Sequence, residues 1–241
     1  MAAPAHFKDS WYEHDPRWTA VDAYTLSSLH PASKPNSTSL TSCLSHSLAS
    51  GLPDISASPS QGKFLALQCL ASRATHALEV GTLGGYTAIW LTSMNPKLHL
   101  TTVEVDPHHA KIARENLERA GVGERVEIVV GEGVEVLPRL KEEVRKGERE
   151  RVGFAWIDAD KENNWRYLQE VVEMAEKGAS VLVDNVVRRG ALIDEKQRGD
   201  EAVEGGRRVV EGVGRDERVE GIVVQTVGEK NYDGFLMAVV L

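Results

Sequence analysis

The chain has 241 residues, 41% of them hydrophobic and 27% charged, which suits one α/β unit with a sizeable core. The formal net charge of −8 argues against a nucleic-acid or anionic-membrane partner, since either needs a basic face. No apolar run approaches the ~18 residues of a membrane span, and the first residues lack the basic start and apolar stretch of a secretory signal.

Residues 1 to 15 show no clear period. In "RWTAVDAYTLSSL", Trp18, Val21, Thr25 and Leu29 recur near helical spacing. A Ser- and Pro-rich stretch follows, in which Leu40, Cys43, Leu44 and Leu48 share one helical face and Gly51 supplies a C-terminal stop. "SPSQGKFLALQCLAS" reads as a third helix with Phe64, Leu67 and Leu70 inward. The two cysteines, Cys43 and Cys69, fall in these helical patterns and read as reduced core residues, so a reducing, cytoplasmic setting is expected.

From residue 76 short apolar strands alternate with helices. Strands are expected at "HALEV", "LTTVEV", "VEIVV", "GFAWI" and "SVLVD". Helices are expected at "GYTAIWLTSM", "PHHAKIARENLERA", "GVEVLPRLKEEV" and "NWRYLQEVVEMAEK". Asp106-Pro107 is an N-cap followed by proline at the first helical position. Such alternation implies a parallel sheet. The tail changes pattern: a charged helix near "EAVEGGRRVVEGV", then "VEGIVVQTV" and "DGFLMAVV" joined by a short turn, an antiparallel hairpin at one sheet edge. The whole reads as a mostly parallel seven-stranded α/β sheet, residues 61–241, preceded by a helical segment, residues 1–60.

"LEVGTLGGYTA" is a strand, a glycine-rich turn and a helix start, and Glu104 ends the next strand about 20 residues on, where an acid can accept both ribose hydroxyls. The spacing is not Gly-x-Gly-x-x-Gly, and Glu79 ahead of the first glycine is a poor neighbour for a pyrophosphate. It suits a ligand with positive charge and no phosphate, such as S-adenosylmethionine. A nicotinamide or flavin site and a plain tight turn are the alternatives. Asp158 ends the fourth strand and Asp184-Asn185 the fifth. Adjacent strand ends lie ~5 Å apart, so two carboxylates and an amide can share one hard cation, Mg²⁺ or else Mn²⁺ or Ca²⁺. Lys161, three residues after Asp158, can point at the open side of that ion. Polar residues surfacing at two strand ends would be the plain reading.

These motifs, with "SPSQGKFL", "TTVEVDP", "GEGVEVLP", "WIDADKENN", "LVDN" and "YDGFLMAV", resemble the cation-dependent class I O-methyltransferases, the group of catechol and caffeoyl-CoA O-methyltransferases, from about Trp18 onward. The resemblance implies a Rossmann-like methyltransferase fold. It implies Gly81, Thr82 and Thr87 at the methionine end of the cofactor with Glu79 close by, Glu104 on the ribose, Gly133 near the adenine and Asp160 near the cofactor. It further implies Asp158, Asp184 and Asn185 on the metal and Lys161 as general base. A homodimer is implied too. The chain departs from its relatives at Glu132-Gly133, where many carry "GDA" or "GPA", and at Asn164, often a tyrosine. The implied reaction is methyl transfer from S-adenosylmethionine to a vicinal aromatic diol of catechol, phenylpropanoid or flavonoid type. A non-catalytic S-adenosylmethionine-binding protein, a metal-independent methyltransferase and a dehydrogenase are its rivals. Arg188 and Arg189 either meet an acidic substrate or form a surface pair. Trp11, Tyr12 and Trp18 either close over an aromatic ring or pack on the body or a partner subunit.

Overall fold

The computed structural model describes residues 15–241. The chain begins with α1 (Pro16–Leu29), α2 (Ser37–Ala49) and α3 (Pro59–Ser72). It then alternates: β1 (His76–Val80), α4 (Tyr86–Met94), β2 (His99–Glu104), α5 (Pro107–Arg119), β3 (Val126–Val130), α6 (Gly133–Arg145), β4 (Val152–Ile157), α7 (Asn164–Met174) and β5 (Ala175–Val183). It closes with α8 (Glu201–Val213), β6 (Val219–Val227) and β7 (Tyr232–Val240).

The seven strands form one sheet in the order β3-β2-β1-β4-β5-β7-β6. β1 to β5 pair in parallel, and β7 runs antiparallel between β5 and β6. Every residue of β4 is buried, as expected for a central strand with helices on both faces. One face carries α6, α7 and α8, with Leu137, Leu168 and Val209 packed on Leu78, Ala155 and Val181. The other carries α2 to α5, with Leu65, Trp90 and Leu117 against Ala77, Phe154 and Leu182. The chain leaves β1 towards β2 on one side and later adds β4 on the other. That reversal opens a crevice at the carboxyl ends of the two strands, where ligands of open α/β sheets bind.

Polar caps start several helices, Asp106 among them as the sequence suggests. Asp106 accepts from the backbone N–H groups of His108 (2.7 Å) and His109 (3.4 Å). Ser58 accepts from Gln61 N at 3.2 Å, and Asp200 from Val203 N at 3.0 Å. Gly51 and Gly121, at φ of +83° and +70°, take the left-handed position that ends α2 and α5.

Four expectations need correction. The buried face of α3 is Gly62, Leu65, Ala66 and Cys69, while Leu67 and Leu70 are exposed. A Cβ on Gly62 would lie 2.4 Å from the Trp90 ring, so this close approach of α3 to α4 sets the helix rotation. α1 forms where expected, yet none of its residues is buried, and Val21 and Leu29 face outward. On α2, Leu48 is exposed and Ser47 is buried in its place. The "AEK" expected to end α7 instead opens β5: Ala175 is extended, a register irregularity follows opposite Val152 and Phe154, and Gly178 takes φ +87°. Trp11 and Tyr12 lie outside the described residues. Cys43 and Cys69 are free and buried, and burial pushes both thiols up to about 12. Among the described residues no helix is long and apolar enough to cross a membrane.

Candidate active site

A cavity of about 860 Å³ opens at the carboxyl ends of β1, β2 and β4. Of the residues singled out in the sequence, it brings together Gly81, Thr82, Thr87, Glu104, Gly133, Asp158, Asp160, Lys161 and Asn185 along its lining. Glu79 and Asp184 lie beneath that lining, buried.

The turn after β1 is shaped by backbone proximity. Gly81 takes φ +101°, and a Cβ there would lie 2.5 Å from the Asp158 carbonyl oxygen. Gly85, at φ +82°, caps α4. The Glu104 carboxylate gathers the free N–H groups of this region: one oxygen accepts from Thr82 N (3.1 Å) and Leu83 N (2.7 Å), the other from Asp106 N (3.0 Å). His109, which also lines the cavity, sits 3.6 Å from the same carboxylate.

Glu79 differs from the expectation of a charged group near the ligand. It is 1% exposed and its Oε2 accepts from Thr102 Oγ1 at 2.6 Å, which in turn lies 2.6 Å from Thr82 Oγ1. Burial pushes its carboxyl up to about 8, with the nearby Asp158 and Glu104 adding to the rise. Burial thus disfavours the charged form of this acid below the glycine turn.

Asp158, Lys161 and Asn185 line the cavity next to the glycine turn, and Asp184 is buried close to Asp158. Lys161 Nζ donates to Asp158 Oδ1 at 2.5 Å. Asp184, 7% exposed, accepts from Gln61 Nε2 at 3.1 Å. Burial, followed by repulsion from Asp158, pushes the Asp184 carboxyl up to about 8. The buried Asp184 beside the part-exposed Asp158 is an environment a cation relieves, as the Lys161 ammonium does in part. Among the described residues no group of three or more His, Cys, Asp or Glu side chains is placed to hold a metal. The donor set here is two carboxylates and one amide, all hard oxygens, and it fits Mg²⁺ or a similar ion.

Asp160 accepts from the Tyr167 hydroxyl at 2.5 Å and from Asn163 Nδ2. A Cβ on Gly133 would meet the Tyr167 ring at 2.8 Å, so this glycine lets the helix start of α6 lie on the tyrosine. Gln61, Tyr167, His109 and Asp233 were not picked out from the sequence as site residues. Gln61 and Asp233 lie in "SPSQGKFL" and "YDGFLMAV", stretches that carry the family resemblance, and that is the one signal pointing to them. Arg188 and Arg189 do not line the cavity.

A parallel sheet with an inserted antiparallel strand, and a crevice floored by a glycine turn and a strand-end acid, define the class I methyltransferase architecture. A sequence model of the O-methyltransferase family matches residues 32–238, and the chain belongs to that family. It is 52% identical over 230 residues to O-methyltransferase imqG of Aspergillus flavus, covering 95% of this chain and 93% of that one. It is 41% identical over 202 residues to the catechol O-methyltransferase of Mycobacterium tuberculosis, covering 83% and 88%. The O-methyltransferase of Bacillus cereus in complex with SAH superposes with a TM-score of 0.86 at 40% identity, covering 94% of this chain and 99% of that one.

Proposed function

We propose that the chain is an S-adenosylmethionine- and divalent-metal-dependent O-methyltransferase acting on a vicinal dihydroxy aromatic small molecule. The observation that carries this reading is that Asp158, Lys161 and Asn185 line the same cavity as the glycine turn and Glu104, with Asp184 buried close to Asp158. The relative named for catechol and the neighbour solved with SAH support the acceptor class and the methyl donor.

When bound at Asp158, Asp184 and Asn185, a hard cation would hold the acceptor hydroxyls and lower their pKa. Glu104 would accept from the ribose hydroxyls, and the glycine turn would hold the methionine end. In the free chain Lys161 is ion-paired with Asp158. To act as base it first gives its own proton to solvent and then takes the proton of the acceptor hydroxyl. The O–CH₃ bond forms as the S–CH₃ bond breaks, and S-adenosylhomocysteine departs. Opposite charges cancel in this step, so the protein contributes mainly alignment and preparation of the nucleophile. Ile55, Ser56 and Ala57, from the loop before α3, wall the cavity, which supports a lid role for the N-terminal segment within one catalytic unit. The exposed Val21, Tyr24, Leu67 and Leu70 on α1 and α3 support a homodimer, and the free buried thiols support a cytoplasmic setting.

The test is turnover of S-adenosylmethionine with a panel of catechols, flavonoids and caffeoyl esters, with and without chelator, for wild type and Asp158→Ala. Methylation of vicinal diols that stops with chelator and with Asp158→Ala is expected. Full turnover after exhaustive chelation would refute the metal. Tight S-adenosylmethionine binding with no acceptor methylated would leave a binding protein.

A further inference from the structure

Asn185 sits at φ +54°, in the left-handed region that asparagine enters more readily than most non-glycine residues. Arg188, Arg189 and Gly190 continue in that region at +50°, +57° and +84°. One side chain fastens this turn. Asp233, near the start of β7, accepts from Asn185 Nδ2 at 3.2 Å through Oδ2. Its Oδ1 accepts from the backbone N–H groups of Arg188 (2.7 Å) and Gly234 (2.8 Å). The strand behind it has no room to retreat: a Cβ on Gly234 would lie 2.4 Å from the Val224 carbonyl oxygen and 2.6 Å from Val187 Cγ2.

A carboxylate offers only acceptors, so the face of Asn185 that meets Asp233 must be its NH₂. The amide oxygen is thereby turned the other way. We infer that Asp233 is a positioning residue that locks the Asn185 amide so that its oxygen, and not its NH₂, is presented beside Asp158 and Asp184. This rests on the proposed cation at these residues, because an amide oxygen ligates a hard cation and an amide NH₂ does not.

Replacing Asp233 with asparagine reverses the logic at one atom. The new side-chain oxygen stays with the N–H groups of Arg188 and Gly234, its NH₂ faces Asn185, and Asn185 answers with its oxygen. The amide NH₂ is then left for the cation. Binding of Mn²⁺ alone, followed by electron paramagnetic resonance, tests this without turnover. Asp233→Asn should weaken Mn²⁺ binding by about 10–100-fold, the range found when a group orienting a ligand is lost. That loss should persist at high ionic strength. The swapped pair, Asn185→Asp with Asp233→Asn, keeps the charge count and restores an oxygen facing the cation, so it should regain most of the affinity. Wild-type Mn²⁺ affinity in Asp233→Asn overturns the proposal, as does a loss that high salt abolishes. So does a folded swapped pair that stays weak; should Asp233→Asn alone fail to fold, that pair decides by itself. If wild type binds no Mn²⁺, or Asp158→Ala binds it as well as wild type, the cation reading itself is lost and this proposal with it.

Discussion

A Cβ on Gly205 would lie 1.9 Å from the carbonyl oxygen of Lys161 and 2.8 Å from Glu162 Cα. α8 therefore passes directly behind the proposed base, and the glycine is what allows it. In an exposed helix interior, Gly→Ala stabilises by about 1 kcal/mol. Here the collision wins, and Gly205→Ala should destabilise by ~1–3 kcal/mol, the range for overpacking a filled core. It should also lower kcat more than it raises KM for either substrate, because Lys161 is displaced. A higher Tm with unchanged kcat would show that α8 does not set the lysine.

Lys161→Met should lower the rate on a catechol by ~10²–10⁴ at neutral pH, the usual contribution of a general base. Part of the loss should return as pH rises and the diol ionises unaided. A single-hydroxyl analogue should be a poor acceptor for both forms. The profile to record is rate against pH for both proteins and both acceptors; wild-type rates in Lys161→Met at neutral pH would remove the lysine from the mechanism.

Glu79 makes the stability of the free protein fall from acid to neutral pH. Its folded pKa is raised from 4.5 to about 8, so the folded state holds a proton that the unfolded state releases. The stability this group contributes is fully present below about 4.5 and is lost as pH rises towards about 8. Each such proton corresponds to a slope of about 1.4 kcal/mol per pH unit. Urea melts across that window should show stability falling with pH in wild type and a flatter dependence in Glu79→Gln. Identical slopes would mean the carboxyl is ionised in the fold.

Glu104→Ala removes the acceptor shared by Thr82 N, Leu83 N and Asp106 N as well as the proposed ribose contact. S-adenosylhomocysteine binding in chelator should weaken by ~1–3 kcal/mol, the scale of a lost charged hydrogen bond. Calorimetry reads this directly; unaltered affinity would place the ribose elsewhere.

Local pattern carried much of this site. Asp158, Asp184 and Glu104 could be placed because each ends an apolar run, and a strand end in an alternating α/β chain has one destination. The hairpin and α8 could be placed because the tail breaks the alternation with a charged helix and two adjacent strands joined by a short turn. Contacts between distant parts of the chain left no such trace. Gln61 reaches Asp184 across 123 positions, and the rotation of α3 was set by Trp90 on another helix. Glu79 looked like a charge beside the ligand because sequence shows its type and not its depth. Gly133 lines the cavity as its motif suggests, but the reason for a glycine there, the Tyr167 ring beneath it, is one more contact that local pattern does not show.

The insertion of β7 between β5 and β6 has a kinetic consequence. Leu182 finds its cross-strand neighbour Met237 only after α8 and β6 have been traversed, so β5 remains an open apolar edge until the β6–β7 ribbon closes on it. Such long-range pairings form slowly, and an unpaired edge invites association with other chains. Pulse-labelled hydrogen exchange during refolding should protect Val181 and Val183 together with β7 and later than β1; early protection of β5 alone would contradict this order. The turn bearing Asn185 would then acquire its shape in the same late event that delivers Asp233.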